Sequence, residues 1–210
     1  MVGLNYYVID TETTGLLKIH EINEISIIRC SDRIQLTEFI KCEYPELASY
    51  DALVLTNKTI EDLKKGKSKE EVISKVDRFI NEDGLTSAHR CFIAHNASFD
   101  KRFIHSIYDK VNKKCPVDLW LCTVSLTKQY LRQMKIKSSA KLSEACNIVG
   151  IKKIAGSHSS KADSRNTYLL WKNLVENKKI DYLPFIKNCA HFQIEKEILD
   201  FDFSGEEYDN

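Results

Sequence analysis

Residues 6–9, Tyr-Tyr-Val-Ile, are aromatic or β-branched throughout and run straight into Asp10-Thr11-Glu12-Thr13-Thr14-Gly15-Leu16. An apolar run of this kind predicts a buried strand, and Gly15 marks where the chain turns away from it. Alternate residues of a strand share a face, so Asp10 and Glu12 stand side by side where the strand ends. Two carboxylates that close repel, and one pKa rises unless a cation lies between them. Hard oxygen ligands suit Mg²⁺ or Mn²⁺. An Asp-Thr-Glu run at a strand end also serves simply to cap a turn.

The rest of the chain surrounds that strand with alternating elements. Ile22, Ile25, Ile27 and Ile28 predict a second strand and residues 34–40 a third, with Ser31-Asp32 as the turn between them. Thr59 is an N-cap for a short helix, and Ser68-Lys69-Glu70-Glu71 is a capping box. Val72, Ile73, Val76, Phe79 and Ile80 follow it at helical spacing. Residues 91–94 and 119–122 read as short strands. Residues 99–111 read as a helix with Phe99, Phe103 and Ile107 on one face. Residues 142–149 form a helix that stops at Gly150, and residues 163–175 another, buried through Tyr168, Leu169, Leu170 and Trp171. A hairpin first, then strands alternating with helices, predicts an α/β or α+β sheet covered by helices. A chain of 210 residues accommodates this as one domain with a sizeable core.

Charge and cysteine usage narrow the setting. A net charge of +1 exerts no whole-molecule pull on nucleic acid, so any such binding depends on local patches. The seven cysteines are scattered, with no Cys-x-x-Cys pair, and most have apolar neighbours, as in Arg90-Cys91-Phe92-Ile93. Reduced, buried thiols in an intracellular, cytoplasmic protein fit this better than a disulfide framework or a zinc site. The first residues have no basic stretch followed by an apolar core, so no secretory signal is expected, and no run is long enough to span a membrane. Residues 200–210 carry five acids and no Lys or Arg, which predicts a solvated tail.

Two further segments carry chemistry. In His95-Asn96-Ala97-Ser98-Phe99-Asp100, Asn96 is placed to cap a helix whose first turn holds Asp100, where the helix dipole favours the ionised acid. An aspartate there also serves stability alone. In His158-Ser159-Ser160-Lys161-Ala162-Asp163 a His precedes an Asp at a helix start by five residues. A lone loop His is ordinarily just solvated. Jointly, four carboxylates and one His gather at strand ends and helix starts, where active sites of sheet-based folds lie.

In order and spacing, the three segments resemble the DEDDh branch of the 3′–5′ exonuclease superfamily, which includes polymerase proofreading subunits and ribonuclease T. Ile60-Glu61-Asp62-Leu63 and residues 142–151 add minor matches, and the resemblance spans about residues 4–176. Ser159 stands where the sister branch has a catalytic Tyr, so His158 assigns the chain to the His branch. The chain departs from many relatives at Thr56-Asn57, where they have His-Gly, and at Ser160 and Ser164, where they often have Ala. Small residues replacing small ones are expected to leave the chemistry unchanged.

The resemblance implies a ribonuclease H-like α/β fold, a mixed central sheet with an N-terminal antiparallel hairpin flanked by helices. It would occupy residues 1–180, with a C-terminal helical extension over 181–199 and the acidic tail beyond. It implies two divalent cations, Mg²⁺ or Mn²⁺, held by Asp10, Glu12, Asp100 and Asp163, with His158 as general base for the attacking water. Thr11, Thr13, Gly15, Leu16, His95, Asn96 and Phe99 would bind the substrate, although Phe99 suits helix core equally well. The substrate would be a single-stranded or frayed 3′ end of DNA or RNA, the product a nucleoside 5′-monophosphate, and a polymerase or repair protein a partner. A basic run (Lys110, Lys113, Lys114, Lys128, Arg132, Lys135, Lys137, Lys141) suits either a phosphate backbone or a plain solvated face. The competing readings are a catalytically silent nucleic-acid-binding or scaffold module on this fold, and a ribonuclease H-like endonuclease. All five site residues are present, which disfavours the first; His158 and the Thr-Thr-Gly-Leu run disfavour the second.

Overall fold

The computed structural model describes residues 3–152, 154 and 159–188. Along the chain these form β1 (Asn5–Thr13), β2 (Ile22–Arg29), β3 (Gln35–Phe39), α1 (Tyr50–Thr56), α2 (Ile60–Leu63), α3 (Lys69–Asn81), β4 (Arg90–Ala94), α4 (Ala97–Lys110), β5 (Leu119–Cys122), α5 (Thr123–Met134), α6 (Leu142–Ile148), α7 (Ser160–Lys172) and β6 (Ile186–Asn188). The strands build one mixed sheet in the order β3-β2-β1-β4-β5-β6. β1 pairs antiparallel with β2 and parallel with β4, and β4 pairs parallel with β5. The expected antiparallel hairpin and helix-flanked mixed sheet are therefore present.

Period-two alternation along β1 assigns its side chains to two cores. Tyr7 and Ile9 join Ile25, Ile27, Val72, Phe103 and Trp120 on the face covered by α3 and α4. Val8 joins Ile28, Ile93, Leu121, Leu126 and Leu170 on the face covered by α5–α7. Burying a large aliphatic side chain contributes about 1.5–3 kcal/mol, so both faces hold the sheet strongly.

Both predicted caps for α2 and α3 are complete capping boxes, Thr59 with Asp62 and Ser68 with Glu71. Two helices are not among the expected elements. α1 buries none of its residues, so it shows no apolar periodicity. α5 does repeat at helical spacing, burying Leu126, Thr127, Tyr130 and Leu131 with Lys128 and Arg132 on its outward face. α7 starts three residues earlier than the apolar pattern predicts, which places Ser160 inside the helix.

The C-terminal region differs from expectation. Of the segment 181–199 expected to be helical, residues 183–185 form a single 3₁₀ turn and Ile186–Asn188 add an antiparallel strand to β5. Backbone pairing with the open edge of β5 outweighs local helix preference, and the sheet thus continues past residue 180. The remainder of that segment and the acidic tail lie outside the described residues. Among the described residues six cysteines are free thiols, and no helix is long and apolar enough to cross a membrane.

Candidate active site

β1 leaves β4 early. Their pairing ends at Val8 opposite Ile93, while β1 continues beside β2 to Thr13. Residues 9–13 therefore have one open edge, and the start of α4 fills it. The backbone N–H of Thr11 donates to Asp100 Oδ1 at 3.0 Å, and the Thr11 hydroxyl donates to the same oxygen at 2.9 Å. A carboxylate thus replaces the missing strand as acceptor for a buried N–H. Thr11 is thus a clamp that places Asp100 beside β1.

Asp10 and Glu12 lie on the opposite face of β1 from Thr11, the face that α7 covers. The register sets Asp10 opposite Ser26 and Glu12 opposite Glu24. α7 carries Asp163 in its first turn. Burial, then Asp100, Glu12, Asp163 and Glu24, raise the Asp10 pKa well above the usual carboxylate range. Burial and then Glu24 and Asp163 push Glu12 up to about 7, with Lys58 opposing. Burial also raises Asp100, held back by its two bonds from Thr11. Asp10 and Glu12 from β1 hence lie within electrostatic reach of Asp100 from α4 and Asp163 from α7. Among the described residues no three His, Cys, Asp or Glu side chains are drawn together tightly enough to chelate an ion as they stand. The donor chemistry nevertheless fits divalent cations: hard oxygens whose shared charge is relieved by cation binding.

Glu24 is a member of this cluster that the sequence motifs do not single out. Only 3% exposed, it accepts from Lys58 Nζ at 3.0 Å and from the Ser160 hydroxyl at 2.8 Å. One turn along α7, the Ser164 hydroxyl donates to Ser26 Oγ at 3.1 Å, and Gln35 Nε2 donates to Ser164 Oγ and to the carbonyl of Lys161. Arg165 Nε donates to Gln35 Oε1. Ser160 and Ser164 are therefore not neutral replacements for alanine. Their hydroxyls seam the Asp163 helix to the β2–β3 hairpin, and only the pairing of distant segments reveals it.

The loop after β1 is built around Gly15, whose φ is +152°. A Cβ there would overlap the His20 ring. His20 Nδ1 accepts from the Leu17 N–H at 2.8 Å, and the absence of a side chain at Gly15 lets this loop fold tightly. The Thr13 hydroxyl donates to the Gly15 carbonyl. Leu16 is 71% exposed at the lip of the loop. Its carbonyl accepts from Arg102 Nη2 at 2.7 Å, and the Arg102 guanidinium lies 4.8 Å from the Phe103 ring centre. Arg102, also unsignalled by sequence, ties the first motif to the second.

Phe99 is half-buried and packs on Phe103 with ring centres 5.0 Å apart, the core alternative for that residue. Asn96 is exposed in the left-handed region (φ 69°), and its side chain makes no cap. It accepts from the Ser98 hydroxyl, while the Asn96 carbonyl receives the Phe99 N–H. A left-handed residue before a helix turns its side chain away from the helix N–H groups. His95 has both ring nitrogens engaged within the protein: Nε2 donates to the Ala140 carbonyl at 3.0 Å, and Nδ1 accepts from the Thr123 hydroxyl at 2.9 Å. Burial lowers its pKa to about 4, which favours the neutral ring that these two bonds require. His158 lies outside the described residues.

Residues 7–171 match the model of the RNase T family, described as exonuclease. The chain is 28% identical over 185 residues to the PolC-type DNA polymerase III of Listeria innocua and 27% identical to that of Listeria monocytogenes. Each match covers 86% of this chain but only 12% of the polymerase. Among solved structures, cell-death related nuclease 4 superposes with a TM-score of 0.70 at 11% identity, over 84% of this chain and 65% of that one. The nuclease domain of 3′hExo, a DEDDh family member bound to rAMP, gives 0.68 at 16% identity, over 88% and 96%. The E. coli ExoI–ssDNA complex with zinc bound gives 0.70 at 17% identity, over 87% and 42%. At such identities these structures establish the fold.

Proposed function

The chain belongs to the RNase T exonuclease family, and on that footing we propose that it is a metal-dependent 3′–5′ exonuclease releasing nucleoside 5′-monophosphates from DNA or RNA. The observation that carries this reading is the electrostatic meeting of Asp10, Glu12, Asp100 and Asp163 from three separate elements. A stable fold has no use for such a meeting unless cations join it. Asp10, Glu12, Asp100 and Asp163 are the residues that would hold two Mg²⁺ or Mn²⁺ ions. Two such ions, when bound, neutralise charge on the phosphodiester and lower the pKa of the attacking water.

The protein's own part is positioning and proton transfer. Thr11 fixes Asp100 against β1, and the Ser160–Glu24 bond fixes the start of α7, hence Asp163, against β2. His158 takes the proton from water, since an unperturbed imidazole titrates at about 6.5 and acts near neutral pH. Exposed Leu16 and half-buried Phe99 offer apolar faces to the terminal base, and stacking of this kind tolerates any sequence. Likeness to part of a PolC-type polymerase supports work beside a polymerase or repair partner.

The test is digestion of 5′-labelled single-stranded DNA, single-stranded RNA and 3′-mismatched duplex with Mn²⁺, against EDTA. A metal-dependent ladder shortening from the 3′ end is expected. Binding without cleavage of any substrate would favour the catalytically silent module.

A further inference from the structure

The basic run that follows the second motif is not one surface. Lys110 pairs with Glu21 (3.5 Å), Lys113 with Asp77 (2.9 Å) and Lys114 with Asp118 (3.7 Å), so its first part is neutralised locally. Lys128, Arg132, Lys135 and Lys137 make no ion pair among the described residues. These four line a single open recess of about 480 Å³, with Leu131 and Ile136 also in its wall.

Two features build the recess. Lys128 and Arg132 are four residues apart on α5 and share a face. Lys135 then takes the left-handed conformation (φ 56°) that ends the helix, folding Lys135 and Lys137 back beside it. Cations near a helix C-terminus complement its dipole, which accounts for one or two of them. It does not account for four in one concavity, because like charges four residues apart on a helix cost a few tenths of a kcal/mol. Glu144 marks one margin, where it accepts the hydroxyls of Ser138 and Ser139.

The recess is also tethered to the carboxylate cleft. His95 binds Thr123, the first residue of α5, through one nitrogen and Ala140, beyond the recess, through the other. Both ends of the segment carrying the four cations thus meet at the residue just before the turn into α4 and Asp100. With 12 residues at about 1.5 Å each, α5 reaches roughly 18 Å from that point. A strand with its 3′ end at the carboxylates would cross that distance within a few nucleotides.

We infer that this recess docks the phosphate backbone of the single strand 5′ to the end being hydrolysed. The inference rests on the exonuclease reading for its polarity, and for its ligand on four cations that make no ion pair among the described residues. With a net charge of only +1, the molecule must attract a polyanion through a local patch such as this. Leu131 and Ile136 give passing bases an apolar surface on which to rest.

The experiment measures binding apart from cleavage. Fluorescence anisotropy with a labelled single-stranded DNA 20-mer is read on Asp10→Ala protein, with and without Lys128→Gln, Arg132→Gln, Lys135→Gln and Lys137→Gln together. Affinity near 0.1 M salt should fall by about 10- to 100-fold, and the slope of log K against log salt should become shallower by roughly 3, about 0.7 for each phosphate left without its cation. The same four changes in otherwise unaltered protein should leave dinucleotide hydrolysis unchanged. Should the quadruple variant fail to fold, Lys135→Gln with Lys137→Gln, both outside α5, should show about half the change in slope. Unaltered affinity and slope would overturn the inference, as would a parallel loss of dinucleotide hydrolysis. If the unaltered protein cleaves nothing, the exonuclease reading fails while the anisotropy comparison still decides the recess.

Discussion

The two ends of β1 bring buried acids together under opposite conditions. At its start, Asp83 accepts from Asn5 Nδ2, from the Tyr7 hydroxyl at 2.7 Å and from Arg90, whose Nη2 lies 2.6 Å from Oδ1. Arg90 continues to Asn81 and to the Pro116 carbonyl. Burial alone would raise Asp83, but these bonds hold it below the usual carboxylate range. At the other end, Asp10, Glu12 and Asp100 are raised by burial and, for Asp10 and Glu12, by neighbouring acids as well. Fold and side-chain type are shared, so the difference lies in whether the protein supplies the compensating cation. Where it does, the acid is part of the scaffold. Where it does not, the acids repel one another, which is the condition the proposed cations would relieve.

The sharpest way to break this contrast is to disable each end in turn. Asp10→Ala should lower nuclease activity by at least about 10³-fold, while metal-free stability stays level or rises because repulsion is relieved. Arg90→Met should do the reverse. Leaving Asp83 buried and unpaired costs about 3–5 kcal/mol, with the remaining folded protein still active. Urea melts and initial rates on both variants decide it; an inactive Asp10→Ala that has also lost its fold would remove the distinction.

A medium effect is expected from pH. A carboxylate raised in the folded state binds more protons there than in the unfolded chain, so stability falls as pH rises through the folded value. For Glu12 that window runs from its ordinary range up to about 7. Asp83 has the opposite sign: its stabilisation is present above the ordinary carboxylate range and disappears as pH drops through its lowered value. From these groups metal-free protein should be most stable at about pH 4 and lose stability on both sides, with Mn²⁺ restoring the alkaline side only. A urea midpoint that climbs from pH 5 to pH 8 in EDTA would contradict this.

The smallest effect sharpens the picture of how Asp163 is held. Ser160→Ala removes one of the two partners of buried Glu24 and should cost about 1–3 kcal/mol. Ser164→Ala removes neutral bonds to Ser26 and Gln35 and should cost about 0.5–1.5 kcal/mol for each. Ser160→Ala should also weaken Mn²⁺ binding, measured by calorimetry, whereas Ser164→Ala should not. Equal effects from both would mean the seam acts on stability alone.

The sequence by itself determined the sheet's first strand, the pairing of Asp10 with Glu12 on one face, the N-caps of α2 and α3 and the family. Each of these is a local pattern: alternation, cap chemistry, or a short motif that survives without knowledge of neighbours. Tertiary structure decided which acids are compensated, because Arg90 with Asp83 and Lys58 with Glu24 meet only through folding. It also decided that Thr11 and His95 act as struts, that Ser160 and Ser164 form a seam, and that three residues of a basic run are neutralised locally while four others line a recess. A hydrogen bond or an ion pair between residues far apart leaves no periodic trace in the chain; its existence depends on geometry that only the completed sheet and helices provide.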